Sequence, residues 1–237
     1  MSELCKWLNE GLEQLPLIKF PFKLEQLPQK GIYFFYEKGE IWAHGRDNPR
    51  IVRIGTHKNR NFRSRIKEHF LLDESKMGFD KDKPKPSDRS IFRKNIGRAL
   101  LNRDRDDYLQ VWKIDFMTRG KRECLGHKRD IDKEKRIEST ITRILRERFS
   151  FRFIVIESQT ERMGSKGLES SLIGTVSHCK LCTPSNGWLG HFSPQKRIKN
   201  SGLWLVQHID SEGINNQHKK IISDTITRTK EWIMNSR

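Results

Sequence analysis

GIYFFYE at residues 31–37 and IVRIG at 51–55 are the two stretches whose reading decides the fold of this 237-residue chain. Both are dense in aromatic and β-branched residues and lie next to turn formers, which predicts two strands. Between them KGEIWAHGRDNPR reads as a loop or a short extra strand closed by Asn48-Pro49, so the two strands are expected to pair antiparallel across a long connection. Alternation puts Tyr33 and Phe35 on one face of the first strand and Ile32 and Phe34 on the other. Arg53 and Gly55 share a face of the second, so pairing brings Tyr33 and Arg53 toward one cleft.

Outward from this pair, RSRIKEHF at 63–70 reads as a helix with Asn61 as its N-cap. Helical spacing sets Arg65 and His69 one turn apart on one face, with Ile66 and Phe70 turned inward. Leu4, Trp7, Leu8, Leu12 and Leu15 mark an amphipathic helix over 3–15. Residues 73–89, charged and broken by Pro84 and Pro86, read as an exposed insertion. Ser90 is the expected cap of a helix over 91–101, and 107–116 is ambiguous between helix and strand. A helix is predicted within 130–149, a strand at 151–157 and a helix over 168–178. A loop over 183–203 and a closing helix over 217–234 follow. The fold class predicted is α+β, a small mainly antiparallel sheet flanked by helices, in a single domain over 1–237.

Lys and Arg number 47 against 30 Asp and Glu, a formal net charge of +17 with a pI near 9.9. That excess attracts polyanions through its long-range field and through counterion release. No apolar run approaches the roughly 20 residues of a spanning helix. The amphipathic N-terminal stretch also lacks the basic-then-apolar order of a secretory signal. The expectation is a cytoplasmic protein with a nucleic acid partner and no membrane partner, as monomer or homodimer. Cys5, Cys124, Cys179 and Cys182 do not read as a disulfide framework. Cys179 and Cys182 have a ligand-like spacing, and Cys124 with His127 would complete a Cys3His set for a structural Zn2+. A lone CxxC is weak evidence, and reduced thiols without metal are the reading the sequence favours.

Hydrolysing a phosphodiester takes an in-line water, a group to accept its proton, and positive charge for the phosphorane and the leaving oxygen. Tyr33, Arg53, Arg65 and His69 offer that chemistry. Singly each has an ordinary alternative: Tyr33 as core, Arg65 as a solvated helix cation, His69 as a satisfied half-buried ring. Their joint placement is what points to a site.

These residues resemble the GIY-YIG nuclease superfamily, whose pattern is a GIY strand, a YIG strand and a helix carrying Arg with His or Tyr four residues on. Gly31-Ile32-Tyr33 matches outright, Arg53-Ile54-Gly55 fills the second strand, and Arg65 and His69 match the helix. The second-strand tyrosine is replaced by Arg53, which leaves Tyr33 as the base candidate of that motif. The resemblance implies a core over 31–190 with an insertion around 73–150, an N-terminal helix over 1–30 and a helical extension over 205–237. It further implies a metal-binding glutamate, assigned to Glu169 in GLESSLIGTVS with Glu138 and Glu161 as rivals, and an asparagine, assigned to Asn186. His57 and Lys58 occupy positions expected to contact phosphate. The blocks SIFRKNIG, PSNGWLG and SGLW are similar to a bacterial branch near restriction enzymes. The expected function is thus a Mg2+- or Mn2+-dependent DNA endonuclease of restriction or host-defence type. Structure-specific repair cleavage, a non-catalytic nucleic-acid-binding module, RNA binding and a zinc-stabilised interaction domain are the rivals.

Overall fold

In the computed structural model, which describes residues 1–45, 48–58, 61–72, 80–164 and 167–236, the two quoted stretches are the middle of a sheet. Strand β2 (Ile32–Ile41) pairs antiparallel with β3 (Pro49–Gly55), setting Tyr33 opposite Gly55, Phe34 opposite Ile54 and Phe35 opposite Arg53. Strand β4 (Phe149–Ile154) lies along the other side of β2, and the short β1 (Ile18–Lys19) pairs with β4. The order is β1-β4-β2-β3, antiparallel throughout.

Eleven α-helical segments surround the sheet among the described residues. They are α1 (Ser2–Glu13), α2 (Phe62–Phe70), α3 (Pro86–Arg89), α4 (Ile91–Arg103), α5 (Leu109–Lys113), α6 (Arg119–Leu125), α7 (Ile131–Arg148), α8 (Gln159–Arg162), α9 (Leu168–Ser177), α10 (Lys196–Ser201) and α11 (Asn216–Asn235). The predicted caps are present: Asn61 accepts from the Ser64 amide, and Ser90 accepts from the Arg93 amide. Among the described residues, no helix is long and apolar enough to cross a membrane.

Alternation along β2 sorts its side chains into two cores. Tyr33 and Phe35 join Phe62, Ile66 and Phe70 of α2, Phe92 and Ile96 of α4, and Leu145 of α7. Ile32, Phe34 and Tyr36 join Leu8 and Leu12 of α1, Leu172 and Ile173 of α9, and Ile226 of α11. Helices cover both faces, which is why residues 32–37 are all buried and why the strand reads as an unbroken apolar run.

Two glycines of the motif have steric reasons. A Cβ at Gly31 would run into the carbonyl oxygen of Ile154 on the neighbouring strand, and one at Gly55 would sit on the Tyr33 hydroxyl. Gly55 is the space through which the Tyr33 ring crosses its partner strand.

Two expectations need correction, and one open reading is resolved. Of the insertion read as exposed, 73–79 lie outside the described residues, but 86–89 form α3, and Lys85 and Ser87 are buried. Charge pairing makes that burial tolerable, because Asp88 bridges Lys85 at 3.0 Å and Lys94 at 2.9 Å. The ambiguous 107–116 stretch contains helix α5, which buries Trp112 against α4. The segment read as loop over 183–203 contains a 3-10 turn at Leu189–Phe192 as well as α10.

The glycine geometry gives a stability test. Gly31→Ala is expected to lose about 1–3 kcal/mol in urea denaturation, because the obstacle is backbone and cannot swing aside. Gly120→Ala, where a Cβ meets nothing within 4 Å, is expected to hold or gain about 0.5–1 kcal/mol.

Candidate active site

The carboxyl end of β3, the first turn of α2, the start of α9 and the chain at 205–208 enclose a cleft of about 390 Å³. Tyr33, Arg53, His57, Lys58, Arg65 and Glu169 all line it. Strand, strand, helix and later helix thus converge, although more than a hundred residues separate Arg65 from Glu169 in the chain.

At its floor is a buried relay. The Tyr33 hydroxyl lies 3.0 Å from His69 Nε2, and His69 Nδ1 lies 2.9 Å from Ser90 Oγ. Ser90 is in turn the N-cap of α4, which fixes its position. His69 is fully buried among Tyr33, Phe35 and Phe92, whose rings meet it edge-on at 5.5–5.8 Å. Burial, helped by the nearby Arg65, Arg53 and Arg93, holds its pKa well below the ordinary imidazole range. The ring is therefore neutral at pH 7. With a proton on Nδ1 donated to Ser90, Nε2 is an acceptor for the Tyr33 hydroxyl. The His69 ring is itself sealed from solvent, so it acts on the cleft only through Tyr33.

Arg53 is an anchor as well as a cleft cation. Its Nη1 donates to the Trp204 carbonyl at 2.6 Å, and its guanidinium sits 4.8 Å over the Phe92 ring. The Trp204 amide donates to the Val52 carbonyl at 2.7 Å, tying the 203–208 segment to β3. Arg65 opens α2 at the cleft rim, with Nη1 3.1 Å from Glu68 and 3.2 Å from the Arg89 carbonyl. Glu169 stands in the first turn of α9, where its Oε1 accepts from the Thr56 amide at 3.1 Å. Burial raises its pKa above the usual carboxylate value, against the pull of His208, Arg53, the Thr56 amide and Arg162. A half-buried carboxylate facing a polar cleft fits a hard divalent cation, which takes one or two protein carboxylates and keeps waters elsewhere.

The remaining expected residues are placed as follows. Lys58 is exposed at the rim. His57 lines the cleft but is 6% exposed, and its Nε2 and carbonyl both lie 3.1 Å from Arg162 Nη1. That contact gives the ring a structural tie to α8. Asn186 is exposed outside the cleft lining, on a segment whose neighbour Ser185 is bound by Glu40 near the far end of β2. Glu138 is fully buried in an ion pair with Arg93 at 2.7 Å, and Glu161 is also absent from the cleft lining. Sequence reasoning misses Ser90 as a partner of His69, Thr56 as the donor to Glu169, and His208 on the cleft wall. The one signal for Ser90 in the sequence is its place as a helix cap.

The relay carries a pH signature. The folded-state pKa of His69 is depressed, so the unfolded chain binds the extra proton first, and stability declines as pH falls below about 6.5. His69→Gln is expected to flatten the wild-type slope by up to about 1.4 kcal/mol per pH unit in that window. Urea midpoints taken between about pH 8 and 5.5 would measure it; parallel curves for the two proteins would refute this account of His69.

Neither the curated proteins nor the solved structures contain a match to this chain. A family model described as GIY-YIG domain matches residues 4–232, nearly the whole chain. With the Tyr33, Arg65 and Glu169 side chains gathered at one cleft, His69 backing Tyr33 beneath it, and that match in hand, the chain belongs to the GIY-YIG family of nucleases.

Proposed function

We propose that this protein is a metal-dependent DNA endonuclease, of restriction or host-defence type. The observation carrying the catalytic reading is the convergence of Tyr33, Arg53, Arg65 and Glu169 on one cleft, with Tyr33 backed by a neutral histidine at 3.0 Å. The similarity of the 90–97, 184–190 and 201–204 blocks to a restriction-like branch supports the biological role, with structure-specific repair cleavage as the alternative.

In this reading Tyr33 activates the attacking water, and the hydrogen bond its hydroxyl gives to His69 Nε2 turns an oxygen lone pair toward the cleft. Arg65 and Arg53 stabilise the charge on the phosphate. Glu169 is the residue that would hold Mg2+ or Mn2+, and such an ion when bound neutralises the scissile phosphate. Lys58, exposed at the rim, contacts the nucleic acid backbone. DNA is favoured over RNA by the family alone.

One observation favours a second reading. Arg53 stands where the family pattern has a tyrosine and is engaged by the Trp204 carbonyl and Phe92, as a purely structural residue would be. A non-catalytic DNA-binding module would keep that anchor and lose cleavage.

Cleavage of supercoiled plasmid with Mg2+ separates them. Tyr33→Phe and Glu169→Ala are each expected to lose at least about 100-fold in rate while still shifting DNA in a gel. Wild-type protein that binds plasmid and leaves it uncut, with either Mg2+ or Mn2+, would favour the binding module. Asn186→Ala, lying off the cleft, is expected to cut normally. Lys58→Ala should weaken binding to all sequences and reduce the salt-dependence slope by about 0.9.

A further inference from the structure

Away from the cleft, three chain segments bring sulfur and imidazole together. Cys5 comes from the first turn of α1, His44 from the β2–β3 connection, and Cys179 and Cys182 from the chain just past α9. Their four ligand atoms lie within 4.8 Å of one another. Cys5 Sγ is 3.9 Å from Cys182 Sγ, and His44 Nε2 is 3.1 Å from Cys179 Sγ. We propose that Cys5, His44, Cys179 and Cys182 form a structural Zn2+ site.

The geometry separates this reading from its competitors. A disulfide needs sulfurs about 2.05 Å apart, and the Cys5–Cys182 separation is nearly twice that. A tetrahedral zinc with Zn–S bonds of about 2.3 Å has S···S edges of about 3.8 Å, which the Cys5–Cys182 separation already matches. Thiolate and imidazole donors select zinc over Mg2+ or Ca2+. The space enclosed suits one ion and is too small for an iron–sulfur cluster.

Buried cysteines are common as small apolar residues, but these do not merge with either main core. Cys5, Cys179 and Cys182 form a separate buried cluster whose one other member is Trp42. Supporting groups are in place around the sulfurs. Asn9 Nδ2 donates to Cys5 Sγ at 3.5 Å, and Ser2 Oγ lies 3.9 Å from Cys179 Sγ. An N–H donor of this kind spreads thiolate charge and orients a metal ligand.

The assignment corrects the sequence expectation. Cys124 and His127 are both exposed, Cys124 on α6 and His127 just after it, and neither belongs to the group; Cys5 and His44 take their places. Their contributions are hidden in the sequence because the CxxC pair lies more than 130 residues from His44 and more than 170 from Cys5. The site also has a mechanical consequence. Helix α9 carries Glu169 in its first turn and ends two residues before Cys179, so roughly 15 Å of rigid helix links cleft and metal. Zinc would pin α9 to α1 and to the β2–β3 connection without entering the reaction.

The inference is independent of the nuclease reading, because metal content is measured without cutting DNA. Untagged protein purified in reductant without chelator should carry about one zinc per chain by mass spectrometry. Cobalt exchange into the wild type should give the intense sulfur-to-metal charge-transfer and visible bands of a tetrahedral thiolate site. Cys179→Ser and Cys5→Ser should lose zinc by at least about fivefold, while Cys124→Ser retains it. Chelation should lower the wild-type melting temperature. Wild-type protein lacking zinc and giving no thiolate–cobalt spectrum, iron in place of zinc, or Cys179→Ser with wild-type zinc would each overturn the site. Should the cysteine variants fail to fold, the wild-type content and cobalt spectrum decide the matter alone.

Discussion

The antiparallel register that sets Tyr33 opposite Gly55 is the constraint on which the site depends. The phenol occupies the volume a β-carbon at 55 would need, so its hydroxyl is delivered past the partner strand to the cleft floor. A one-residue slip would send Tyr33 to the opposite face, into the core shared with α1 and α9. Held where it is, the hydroxyl meets His69 inside an aromatic shell of Phe35, Phe62 and Phe92. The low local dielectric strengthens that hydrogen bond and keeps the imidazole neutral, two effects of one cause.

A second layer of order comes from charge taken inside. Arg93 and Glu138 are both fully buried and paired at 2.7 Å, and Arg93 also donates to the His69 carbonyl at 3.0 Å and to Thr142 at 2.8 Å. Arg129 with Glu134 and Arg50 with Glu40 repeat the arrangement. Removing one member of such a pair typically costs about 3–5 kcal/mol, because the other charge is stranded. The Arg93 pair ties α4 and α7 to the end of α2, and so braces the helix that carries His69. These pairs also bear on the composition. Arg50, Arg53, Arg93, Arg129 and Arg162 are buried, and their charge serves the fold more than the surrounding field. The attraction for a polyanion falls to the exposed cations, Lys58 at the cleft rim among them.

Much of the fold is legible in the order of residues. Strand pairing at 31–55, the helix over 62–70 with its Asn61 cap, the helix opening at Ser90, and the facing of Tyr33 and Arg53 toward one cleft rest on local signals, namely alternation, helical spacing and capping chemistry, whereas Glu169 is reached only through the family resemblance. The segments that mislead are those where local polarity disagrees with burial. The 85–89 stretch looks like surface because it is charged, yet Asp88 neutralises Lys85 and Lys94 in the interior. Residues 183–203 look like a loop for lack of periodicity, although Trp188 within them and Trp204 just after them bury their indoles, with both N–H groups donating to Glu37 at 3.1 and 3.0 Å.

The amino-acid order by itself determined which segments become strands and helices, and which side chains share a face, because those follow from backbone periodicity acting over a few residues. Tertiary structure alone decided who meets whom across long intervals. Ser90 rather than solvent completes the His69 ring, Trp204 receives Arg53, and Cys5 and His44 rather than Cys124 and His127 join the CxxC pair. Such partnerships are set by how two helical layers close on the sheet, and packing of that kind leaves no periodic trace in sequence.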